Sequence, residues 1–194
     1  MPNFVKNHIT FFGDDKQIQA VKDYVMSDRS DFDFNKIIPM PEELNLESGS
    51  ITKKAIECAL VRRDGGAVGQ KDFEKMADLG EKYLSNKEKY GAETWYEWCP
   101  LHWGTKWEAW NPLWHEDCVS FETAWSAPDG IYKKLTQLFP DVRFEVNYAD
   151  EDLGNNCGTF YYDGETLIHT VKDDFDFACG VWGLNPEEER ALYE

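Results

Sequence analysis

Between Pro128 and Tyr148 the chain changes its apolar period, and that change limits the folds open to it. Ile131, Leu135 and Leu138 lie four and three residues apart, the stripe of a helix that buries one face. Pro140 ends that helix. Val142, Phe144, Val146 and Tyr148 then alternate, as in a strand with one face in a core. A helix that leads at once into a half-buried strand belongs to a sandwich of helices on a sheet. The same pair of signals stands near the N-terminus, in the opposite order. "FVKNHITFFG" is rich in β-branched and aromatic residues and ends at Gly13. "DDKQIQAVKDYVMSD" follows, with Ile18, Val21 and Val25 at helical spacing, Tyr24 beside them, and Asp14 or Asp15 as cap.

Two further extended segments complete a pattern. "FDFNKIIPMPEEL", stopped by two prolines, reads as a second strand. "CVSFETAWS" reads as a third, with Val119, Phe121, Thr123 and Trp125 on one face. Between them, residues 50 to about 92 form two charged helical stretches joined by "DGGAVG", read as a helical insertion. Without the insertion, the order is the β-α-β-β-α-β plan of a ferredoxin-like α+β sandwich. That plan predicts an antiparallel sheet with helices on one face and a more open second face. "CGTFYYDGETLIHTV" adds a C-terminal hairpin through the Asp163-Gly164 turn. "NPEEERALYE" adds a closing helix capped by Asn185, with Pro186 at its first position. The 194 residues are read as one such domain, 1–194.

Charge narrows the partners. Acids outnumber bases 37 to 20, for a net charge of −17. From residue 141 to 194 there are 14 acids and 3 bases, so the last third carries −11. Such a surface repels phosphates and argues against direct nucleic-acid binding. It attracts basic proteins, including one whose basic groove holds nucleic acid, and it equally serves solubility. No apolar run reaches the ~18–20 residues of a membrane span, and the first residues lack the plan of a secretory signal. The five cysteines contain no C-x-x-C pair, which fits a reducing cytoplasm better than a disulfide framework.

The motifs are weak individually. Cys99, His102, His115 and Cys118 have the spacing of a structural zinc site, but four tryptophans and Asn111-Pro112 fill the stretch between the pairs. Buried cysteines and surface histidines are the plainer reading. Asp31, Asp33, Asn35 and Glu42 fall on EF-hand positions, yet Lys36 stands where the calcium loop needs glycine. "DDFDF" at 173–177 reads as a solvated acidic loop. "RRDGGAVG" matches no phosphate loop, and no nucleophile–base arrangement stands out. The chain is therefore read as a binding protein rather than an enzyme, with no metal or cofactor. Trp103, Trp107, Trp110 and Trp114 are spaced 4, 3 and 4, a helical stripe that Gly104 and Pro112 interrupt. With Trp95 and Trp98 they make six tryptophans in the stretch 93–118, read mainly as core, with one or two left exposed for a partner.

"MPNFVKN", "FDFNKIIPMPEEL", "WYEWCPLHWGTKWEAW", "FETAWSAP", "LFPDVRFEVNYADED" and "CGTFYYDGE", in this order, resemble the YubB-like family, the ferredoxin-like domain of phage Api-type proteins. The resemblance covers nearly the whole chain. It implies a ferredoxin-like domain carried on phages, prophages and conjugative plasmids, with no assigned reaction. It marks Trp103, Gly104, Thr105, Lys106 and Trp107, then Thr123, Ala124, Trp125 and Ser126, then Asp150 and Glu151. Where the family block has asparagine before Trp103, this chain has His102, so a zinc ligand there would be its own. The function expected is that of an accessory protein of a mobile element acting by protein–protein binding, as in counter-defence or nucleic-acid mimicry. The alternatives are a small-molecule or enzymatic pocket near Trp103, Lys106, Trp125 and Asp150, and a zinc-stabilised module. Candidate binding residues are Trp103, Thr105, Lys106, Trp107, Trp125, Asp150 and Glu151.

Overall fold

The structure, a computed structural model, describes residues 3–66, 69–164 and 166–192. Part of the "DGGAVG" link, Glu165 of the hairpin turn and the last two residues of the expected closing helix lie outside them. The chain divides into two compact units, 1–39 with 102–194, and 40–101.

In the larger unit, β1 (Phe4–Phe12) leads into α1 (Asp15–Val25) and the single turn α2 (Phe34–Ile37). Asp14 caps α1 by accepting from the amides of Lys16 and Gln17, while the Gln17 side chain returns a bond to the Asp14 amide. The smaller unit holds α3 (Ser50–Arg63) and α4 (Lys71–Tyr90), matching the two stretches read as helical. Their backbones approach so closely at Gly80 that a Cβ there would overlap the carbonyl of Ala55. Arg62 reaches Glu74 and Asp78 of α4, and Arg63 reaches Glu81. The turn α5 (Trp95–His102) follows, with Pro100 inside it. Then come β2 (Trp110–His115), β3 (Cys118–Ala124), α6 (Asp129–Leu138), β4 (Arg143–Asp150), β5 (Cys157–Asp163), β6 (Thr166–Lys172), α7 (Phe175–Trp182) and α8 (Pro186–Ala191).

The sheet is antiparallel throughout, in the order β2-β3-β1-β4-β5-β6. Its first four positions are those of the β-α-β-β-α-β plan, and the hairpin extends them by two strands. One expected strand is elsewhere. Residues 32–44 form α2 and a 3-10 turn, because Asp33 and the prolines favour capping and turning over pairing. The second strand is β2 instead. The helical stripe over Trp103–Trp114 does not exist: α5 stops at His102, and Trp110 and Trp114 belong to that strand.

One face of the sheet is the main core. Val5, Ile9 and Phe11 of β1 lie beside Val119 and Phe121 of β3 and Phe144 and Val146 of β4, all buried. Val21, Val25, Phe32, Phe34, Ile131 and Leu135 are buried with them. Phe32 stacks on Phe121 at 4.9 Å, and Phe11 on Trp114 at 5.6 Å. Within this core sits a polar group, Asn7, fully buried. Its amide nitrogen donates to Val5 O and Thr123 Oγ1, both at 2.9 Å, and its oxygen accepts from Tyr132 Oη at 2.7 Å.

The second face is not left open. The "DDFDF" segment read as a loop starts a helix: Asp174 accepts from the Phe177 amide and α7 runs on to Gly183. α7 packs Ala178, Phe177 and Trp182 against Ala149 and Cys157 of the sheet. The Trp182 indole donates to the carbonyls of Ala149 and Asp150.

Tyr132 and Tyr162 make a test of the buried network. Tyr132→Phe strips Asn7 Oδ1 of its donor in a dry site, and is expected to cost about 1–3 kcal/mol. Tyr162 Oη is buried with no hydrogen-bond partner among the described residues, so Tyr162→Phe is expected to cost nothing or to stabilise. Urea unfolding of both variants measures the contrast.

Candidate functional site

The residues singled out by the "WGTKW" and "TAWS" blocks meet at one end of the sheet, and most of them meet in order to hold the chain in place. Trp103 is buried, its ring edge-on to Phe34 at 5.6 Å and its indole donating to Ile38 O at 2.9 Å. Gly104 has φ +85° and lies against the start of α6, where a Cβ would strike Asp129. Gly130 lies as closely against the His102 carbonyl. Thr105 is buried and donates from Oγ1 to Ala124 O at 2.8 Å, while Ser126 Oγ donates to Gly104 O. The two sequence blocks are thus two halves of one joint.

Lys106 follows that joint. Its ammonium lies 4.8 Å from the Trp107 ring centroid and 4.4 Å from that of Trp125, a cation held by two indoles. Trp125 takes φ +72°, a left-handed conformation that a bulky residue holds only under constraint. The constraint is visible. Trp125 N donates to Asn3 O, and Trp125 O accepts from Asn156 Nδ2. Asn156 Nδ2 also donates to Asp150 Oδ2, and Asp150 Oδ1 accepts from Asn3 Nδ2 and the Asp152 amide. Glu151 pairs with the first residue of β1: its Oε1 accepts from the Phe4 amide and its own amide donates to Phe4 O. Asp150 and Glu151 therefore secure strand ends, and Lys106, Trp107 and Trp125 form an aromatic–cation clamp.

The zinc spacing is not a cluster. No group of three or more metal-binding side chains gathers among the described residues. His115 and Cys118 face each other where β2 turns into β3, and the Cys99 thiol lies 3.7 Å from Met40 Sδ. The calcium-like acids are occupied too. Asp33 caps α2 through Oδ1 to the Asn35 amide, and Oδ2 accepts from Ser27 Oγ at 2.6 Å.

Sequence reasoning missed the groove beside these acids. A depression of about 660 Å³ runs between the 27–33 loop and the start of β2, lined by Asp28, Arg29, Asp31, Glu108 and Trp110 among others. Neither Lys106 nor Asp150 borders it, so the pocket expected around Trp103, Lys106, Trp125 and Asp150 is not this one. Trp110 is 56 % exposed on its rim. Glu108 accepts from the Phe34 amide at 3.0 Å and from the Asn35 amide group. Burial first, and the Asp33 charge second, push its carboxyl up to about 7, against the pull of those hydrogen bonds and of Arg29. The acid-rich "SDRSDFD" hinted at this place, but nothing in the sequence links it to Glu108.

The fold defines a ferredoxin-like α+β domain with an added hairpin. Residues 102–194 match the model of a family described as the ferredoxin-like domain in Api92-like protein. The chain is similar to the crystal structure of a protein api92 from Yersinia pseudotuberculosis at 10% identity and a TM-score of 0.47, over 88% of this chain and 99% of that one. No curated protein matches. No helix among the described residues is long and apolar enough to cross a membrane.

Glu108 gives the site a pH signature. Its folded value lies above the ordinary 4.5, so the folded state holds the proton more tightly than the unfolded chain does. The contribution to stability is complete below about pH 4.5, declines as pH rises towards 7, and is flat beyond it. The difference in melting temperature between the wild type and Glu108→Gln is expected to change over that window and to be constant above about pH 8.

Proposed function

We propose that this chain is a non-enzymatic accessory protein of a phage, prophage or plasmid, and that it acts by binding a basic protein. The observation that carries the reading is Trp110, exposed on the rim of a groove lined by Asp28 and Asp31 together with Arg29, with the hydrogen-bonded Asp33 and Glu108 in its wall. Exposed tryptophans are enriched at the energetic centres of protein interfaces. Carboxylates around one steer basic partners and fix their register. The net charge of −17 extends the same preference over the whole surface. A partner that normally holds nucleic acid in a basic groove has the complementary chemistry. The mobile-element setting rests on the resemblance of the sequence blocks, and the match over 102–194 supports it only as far as the Api92-like domain.

Affinity capture from cells carrying the element, followed by mass spectrometry, tests the reading. The wild type is expected to enrich a basic protein. Trp110→Ala combined with Asp31→Lys is expected to lose at least about 90 % of it, and binding is expected to weaken as salt rises. Equal capture by both forms overturns the assignment of the groove. The absence of any captured protein overturns the function.

A further inference from the structure

The sheet has two edges, and they are built differently. β2 carries Pro112, breaks its register between Trp110 and Leu113, and turns Asn111 to φ +49°. These are the devices that keep an edge strand from pairing with another chain. β6, "TLIHTVK", has none of them: no proline, no bulge, and continuous pairing to β5 from Thr166 to Lys172. Leu167, Ile168 and Val171 are 43 %, 54 % and 62 % exposed along it. In a chain with 37 acids, this strand contains no carboxylate.

We propose that β6 is a self-association edge, and that a second copy of this chain pairs with it antiparallel about a twofold axis at His169. The register supports a copy of the same strand. The closing pair of the hairpin is Asp163 with Thr166. From it, by alternation, Thr166, Ile168, Thr170 and Lys172 turn their peptide groups to β5, and Leu167, His169 and Val171 turn theirs outward. The Thr170 carbonyl does lie over Gly158 of β5. An axis through His169 therefore passes through an outward-facing residue, and the two strands exchange about six main-chain hydrogen bonds. In that register Leu167 faces Val171 of the other copy, Ile168 faces Thr170, and Thr166 faces Lys172. The apolar side chains cover one another, His169 meets its own copy on the axis, and the two copies of Lys172 are kept apart at opposite ends of the strand pair. The pairing is isologous, as a twofold axis requires.

Charge makes the proposal separable from binding of a basic partner at the groove. Two copies of net charge −17 repel each other outside this strand, so salt strengthens the dimer by screening that repulsion. Salt weakens the other complex.

Sedimentation equilibrium of the full chain, at about 1–200 µM and in about 0.05 and 0.5 M salt, provides the test. The expected result is a reversible dimer of the 22.5 kDa chain that tightens at high salt. Val171→Pro removes an outward N–H without touching the β5 ladder, and is expected to weaken the dimer at least tenfold with the circular dichroism spectrum unchanged. Leu167→Lys is expected to do the same by charge, and serves if the proline variant folds poorly. A monomer at every concentration, or a dimer that survives both substitutions, overturns the proposal.

Discussion

The buried amide of Asn7 is the point on which the larger unit turns. It sits in β1, the strand flanked by β3 on one side and β4 on the other, and it reaches the hydroxyl of Thr123 in β3 and that of Tyr132 in α6. Thr123 accepts this bond and its own hydroxyl donates to Ser126 O at 2.8 Å. Apolar packing around it is forgiving of register, since Val5, Ile9 and Phe11 could slide along the sheet by two residues and still face the core. A buried amide cannot slide without losing the two bonds that reach β3 and α6. The network therefore fixes where β3 stops, and so where Trp125 and the clamp around Lys106 begin. The candidate site at the end of the sheet inherits its position from a polar contact in the middle of it.

What was legible in the sequence was local. β1, α1, α6, β4 and the hairpin each carry their own period, cap or turn, and the structure places them within three residues of the expected bounds. Elements whose signal depends on distant partners were misread. β2 hides behind Asn111 and Pro112 and behind a tryptophan spacing that mimics a helix; only pairing with β3 makes it a strand. α7 hides behind the acids 173–176, because Asp174 is a cap only once Phe177 and Ala178 have a sheet to pack on. The same applies to the site. The aromatic blocks announce that Thr105, Lys106 and Trp125 matter, but not that Thr105 is a tether. Asp150 reads as one acid among many, since Asn3 and Asn156 come to it from a distant strand start and a turn. Glu108 had no sequence signal, because its unusual acidity arises from burial beside Asp33.

The acids of this protein thus divide by task. Some are tied to helix starts or strand ends by hydrogen bonds, as Asp14, Asp33, Asp150, Glu151 and Asp174 are. Others line a groove next to an exposed indole. Composition counts them alike, whereas their hydrogen bonds separate them. The surface reading of a net charge of −17 belongs to the second kind, and the shape of the chain owes more to the first.

The irregularities of β2 set an upper limit on growth. A sheet that offers the same open flank at both ends can add copies without end, as fibrils do. Here Pro112 and the broken register blunt one flank. Under the proposed pairing the other flank is consumed when it meets its own image, so edge-to-edge growth would end at a pair, limited by a single proline and a misaligned step at the opposite border.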